Sequence, residues 1–147
     1  MILRRGRADA SDEIIYPRSE SDTQLVDPVD LEVISTSSQG VELAVLDGNS
    51  GQLWKLLATP LANTVTAIGA ARYAVGSDRS HRSYLSLDDN NAYVADPGLD
   101  GFADTTAGIE SIPLSGGSWQ TLYTGTLAEE ARGISVNNTT VHYSRGN

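Results

Sequence analysis

The strongest constraint on how this chain can fold is a segment that occurs three times. Residues 34–44, 85–95 and 134–144 share one layout: a short run alternating apolar with small polar residues, a polar turn, and a second alternating run. The turns are Ser37-Ser38-Gln39-Gly40, Asp88-Asp89-Asn90-Asn91 and Asn137-Asn138-Thr139-Thr140. Period-two alternation sends successive side chains to opposite faces of an extended chain. Asp, Asn and Gly tolerate the left-handed torsions of a tight turn, so each copy reads as a β-hairpin. The copies begin at positions 34, 85 and 134, and repetition at that period marks stacked units that bury their apolar faces against one another.

A second kind of unit alternates with the hairpins. Residues 108–114 and 118–123 flank the turn Ser115-Gly116-Gly117, and residues 14–18 and 22–26 flank Ser19-Glu20-Ser21 in a counterpart near the N-terminus, with Pro17 matching Pro113. The middle copy places strands at 52–57 and 64–68 and leaves 72–75 unassigned. With the strands of one sheet called a, b, c and d, the chain runs c-d, a-b-c-d, a-b-c-d, a-b. A four-stranded antiparallel unit repeated at this spacing is the pattern of a β-propeller blade. The expected fold is therefore all-β, a partial β-propeller of two full blades and two half blades. Its expected boundaries are a frayed tail at 1–11, a half blade at 12–28, blades at 29–76 and 82–126, and a half blade at 132–147. An ordinary β-sandwich is the competing reading, since its strands also recur at short intervals.

Two segments resemble propeller families. Residues 107–117, continued by Arg132-Gly133-Ile134-Ser135-Val136, look like the bacterial TolB-like and NHL-like repeat: a strand, Pro-Leu, a Gly-Gly turn and a later Gly-Ile-x-Val. Residues 43–54 look like the quinoprotein-type repeat, in which a strand ends at Asp47, turns at Ser50-Gly51 and returns to Trp54. The resemblance implies propeller architecture and no single function. Such propellers have about six to eight blades, so the row here stops short of a circle. Either the chain is a piece of a longer propeller, or a second copy completes the ring head to tail through its edge strands.

The composition narrows the function. A net charge of −9 disfavours a nucleic-acid partner, whose affinity depends on clustered Lys and Arg. The chain has no Cys, so thiol chemistry and disulfides are excluded. Met1-Ile2-Leu3-Arg4-Arg5 does not lead into an apolar run, so no export signal and no membrane span are expected. The compartment stays open, although the families resembled are often periplasmic or secreted.

Candidate chemistry is sparse. Asp96, Asp100 and Asp104 space three carboxylates over a Gly-containing loop, the oxygen-rich kind of set that Ca²⁺ takes, although the spacing is not that of an EF-hand. A solvated loop explains the same residues. Trp54 and Trp119 offer flat faces on which a sugar or quinone could stack, a role that competes with packing between blades. His81 and His142 are the only imidazoles and show no ligand spacing, and no Gly-x-Ser-x-Gly elbow is present to position a nucleophile. No catalytic residue is expected and no cofactor is called for. The reading that follows is a non-catalytic propeller-type binding module for a protein or an extracellular polymer. The alternative is part of a propeller-class enzyme (a lyase, hydrolase or quinoprotein dehydrogenase) whose site is shared between blades.

Overall fold

The computed structural model describes residues 2–5, 12–16, 24–48, 50–72, 83–96, 108–124, 131–137 and 140–145. Twelve strands account for most of them: β1 (Ile2–Arg5), β2 (Asp12–Tyr16), β3 (Pro28–Ser37), β4 (Gly40–Asp47), β5 (Leu53–Ala58), β6 (Asn63–Ile68), β7 (Tyr84–Leu87), β8 (Asn91–Asp96), β9 (Gly108–Pro113), β10 (Gln120–Thr124), β11 (Ala131–Asn137) and β12 (Thr140–Arg145). No helix occurs among the described residues, and none is long and apolar enough to cross a membrane. The chain is all-β.

The strands form four antiparallel sheets, β1-β2, β3-β4-β5-β6, β7-β8-β9-β10 and β11-β12, each joined in chain order. The a-b-c-d meander read from the repeats is thus present twice, with a two-stranded sheet at either end. The hairpin turns fall where alternation breaks: Ser37 pairs with Gly40, Leu87 with Ala92 and Asn137 with Thr140.

Three apolar clusters tie the sheets into a row. Tyr16 and Leu25 pack on one face of the second sheet, against Leu43, Val45, Leu56 and Ala58. The opposite face, carrying Ala44, Leu46, Leu53 and Ile68, meets Leu85, Ala92, Val94 and Ile112 of the third sheet. Ala95 and Ile109, on the far face of the third sheet, meet Ile134, Val141 and Tyr143 of the last. Both inner sheets therefore bury residues on both faces. The burial of every residue from Leu43 to Asp47 follows from this, because a sheet with one wet face would show alternating exposure. A two-layer sandwich covers only one face of each sheet.

The N-terminal region departs from expectation. The first hairpin joins 2–5 to 12–16, whereas the sequence reading pairs 14–18 with 22–26 and leaves 1–11 as a tail. Residues Gln24–Asp27 form bends instead of a strand. Their backbone is satisfied by side chains: Leu25 N donates to the Tyr16 hydroxyl at 3.1 Å, and Val26 N and Asp27 N donate to Asp47 Oδ2 at 3.2 and 3.0 Å. Gly48 N donates back to the Asp27 carbonyl at 2.6 Å. Once those groups are paired, a sheet ladder offers them nothing further.

A bulge between Val33 and Ser35 also shifts the repeat alignment. In the ladders Val33 faces Leu43, Leu85 faces Val94 and Ile134 faces Tyr143. Val33, not Ile34, is thus the structural equivalent of Leu85 and Ile134. The inserted residue turns Ile34 to the other face, where it packs with the cluster between the second and third sheets.

Candidate functional site

The first strands of successive sheets, β3, β7 and β11, lie side by side. Their contacts include hydrogen bonds: Leu85 N donates to Asp30 Oδ2 at 2.8 Å, and Val136 N donates to Ser86 Oγ at 3.2 Å. This places the β7-β8 and β11-β12 turns along one edge of the row. Between them opens a groove of about 320 Å³ lined by Leu87, Asp88, Asp89, Asn90, Val136 and Asn137.

Asp88 organises one wall. Its Oδ1 accepts from Asn90 N at 2.8 Å and Asn91 N at 2.7 Å, and its Oδ2 accepts from the Tyr93 hydroxyl at 2.7 Å. Burial pushes the Asp88 pKa up, but the bonds from Tyr93, Asn90 and Asn91 outweigh it and hold the carboxyl below its usual range. The same bond, with burial and the Asp88 charge, pushes the Tyr93 phenol up. Asp88 is therefore an ionised brace for its own turn, while the neighbouring Asp89 and Asn90 are exposed.

A second polar cluster sits between the second and third sheets. The Arg72 guanidinium, 3 % exposed, lies on Asp96 at 3.0 Å and on Glu110, with Nε at 2.6 Å from Glu110 Oε2. It also stands over the Trp119 ring, 5.4 Å from its centroid. The Trp119 indole in turn donates to the Ala70 carbonyl at 3.0 Å. Arg72 lies in the stretch that the sequence left unassigned, and no local pattern marks it. Its partners come from β8 and β9, dozens of residues away. This is a clamp between two sheets, in which one guanidinium holds two carboxylates.

Of the candidates read from the sequence, the fold separates the two tryptophans, and only Asp96 of the three loop carboxylates is among the described residues. Asp96 ends β8, buried, with its carboxylate on Arg72; Asp100 and Asp104 lie outside the described residues, as does His81. Among the described residues no three His, Asp or Glu side chains are grouped as metal ligands would be. Trp54 and Trp119 are not brought together: Trp54 packs with Tyr16 and Leu25 on one side of the second sheet, and Trp119 packs on the other. One Trp119 face is occupied by Arg72. His142 is exposed on the outer face of β11-β12.

No family model, curated protein or solved structure matches this chain.

Proposed function

We propose that the chain is a non-catalytic binding module built as part of a β-propeller, which takes its ligand at the turns joining first to second strands. The observation that carries this reading is the groove between the β7-β8 and β11-β12 turns. It is walled by exposed polar groups on a rigid support rather than by an acid, base and nucleophile within reach of one another. Row-wise stacking of look-alike four-stranded sheets supports the propeller half of the proposal. Asp89 supplies a carboxylate, and Asn90 and Asn137 supply amides that both donate and accept. Such a set suits a hydroxyl-rich or cationic polymer segment, including a basic stretch of another protein.

The test is a titration of the ¹⁵N-labelled chain with dextran, chitosan oligosaccharide and oligolysine, followed by amide shifts. Shifts confined to residues 87–90 and 136–137, and lost in an Asp89→Ala/Asn137→Ala double variant, support the module. Binding that centres elsewhere, or that survives the double variant, removes the groove from the proposal.

A further inference from the structure

We propose that a second copy of this chain seats the outer face of its β11-β12 hairpin on the exposed face of β3. The inference rests on the stacked-sheet architecture and not on ligand binding at the turns.

Each sheet in the row presents the same kind of face to the sheet before it. By ladder register, this backward face carries Val33–Leu43 and Thr36–Val41 in the second sheet, Leu85–Val94 and Leu87–Ala92 in the third, and Ile134–Tyr143 and Val136–Val141 in the last. Leu85 is 4 % exposed because the second sheet covers it, and Ile134 is half-buried beneath the third. Val33, at the same position, is 54 % exposed, and its face-mate Leu31 is 41 % exposed. The cover that Tyr16 and Leu25 supply reaches the β4 and β5 residues of this face and leaves β3 open. An open β3 face is what a missing pair of first and second strands leaves behind.

The chain carries that missing pair at its other end. β11-β12 buries Ile134, Val136, Val141 and Tyr143 inward. It turns Ser135, Asn137, Thr140, His142 and Ser144 outward, all exposed. Ladder register makes Ser135, opposite His142, the equivalent of Ser86, opposite Tyr93. Ser86 is the residue whose hydroxyl receives Val136 N from the next first strand. By the same register Thr36 is the equivalent of Val136. The contact matching that between the third and last sheets is therefore Ser135 of one copy receiving Thr36 N of the other, with Leu31 and Val33 covered beneath the hairpin. This continues an interface the chain already makes between its own sheets. Two copies related by a two-fold axis make the contact twice and leave neither face open.

Two experiments test the pairing. Light scattering on a sizing column is expected to give a mass twice that of one chain, and Val33→Asp is expected to halve it while leaving the far-ultraviolet circular dichroism unchanged. Because the chain has no Cys, a mixture of Ser135→Cys chains with Thr36→Cys chains reports the contact directly. Oxidation should join unlike chains into a disulfide-linked pair that neither variant forms alone. A wild-type chain of single mass, a double mass that persists in folded Val33→Asp, or a mixture that does not cross-link would overturn the proposal. The cross-link decides the matter if Val33→Asp loses its circular dichroism.

Discussion

At the scale of single residues, the side chains with most at stake are those whose charges are buried. Arg72 neutralises Asp96, which is 1 % exposed, and also holds Glu110. Removing one member of such a group leaves an uncompensated charge in a dry site. Arg72→Met is accordingly expected to cost about 3–5 kcal/mol, read as a fall in the urea midpoint. Asp88 behaves differently because its turn is partly wet. Its folded-state pKa is lowered, so its contribution to stability is present above the unfolded carboxyl value of about 3.9 and is lost as the pH falls through the lower folded value. Asp88→Asn should remove that segment of the stability–pH curve, and denaturant melts across the acid range would show it. Since Asp96 is already committed to Arg72, added Ca²⁺ is expected to leave the thermal midpoint unchanged. A rise reversed by EDTA would mean that Asp96, Asp100 and Asp104 gather round the ion.

At the scale of strands and turns, equivalent positions carry different energies according to what covers them. Leu85 and Val33 occupy the same place in successive sheets, yet Leu85→Ala should cost about 2–5 kcal/mol, the range for a buried leucine. Val33→Ala in the separated chain should cost no more than about 0.5 kcal/mol, as at other exposed sites. Equilibrium unfolding of both variants at low protein concentration checks the contrast. Gly69, which ends β6 at a φ of +66°, is a second such point. A Cβ there would run into Ile112 Cδ1 and lie 2.8 Å from the Gly117 carbonyl oxygen. Gly69→Ala therefore combines about 1–2 kcal/mol of left-handed backbone cost with a clash across the sheet interface. It should lower the melting temperature more than Gly116→Ala, where φ is +94° but nothing lies within 4 Å.

At the scale of the whole molecule, the row of four sheets explains why a chain with 39 % hydrophobic residues holds together. Each inner sheet uses both faces, so modest residues such as Ala44, Ala92 and Ala95 are fully buried. Among the described residues, the same arrangement leaves two faces exposed. At the β11-β12 end the outer face is polar and consists of small residues and His142; at the other end Leu31 and Val33 are exposed. A single cooperative unfolding transition is expected if the three apolar clusters act as one body, with coincident midpoints by tryptophan fluorescence and far-ultraviolet circular dichroism. Separate transitions would mean that the end hairpins melt independently of the inner sheets.

Alternation and turn chemistry were enough to place the two four-stranded meanders and the last hairpin, because strand periodicity and tight-turn torsions are local properties written within a few residues. Local pattern failed where distant groups decide the outcome. Residues 24–27 gave up a sheet ladder for hydrogen bonds to Tyr16 and Asp47, a bulge moved Val33 into the place expected of Ile34, and Arg72 took its meaning from Asp96 and Glu110. The separation of Trp54 from Trp119, and the pairing of Asp88 and Asn137 across one groove, likewise depended on which face of which sheet each strand presents. Faces are assigned by register and by packing between sheets, and both arise only when the folded layers come together.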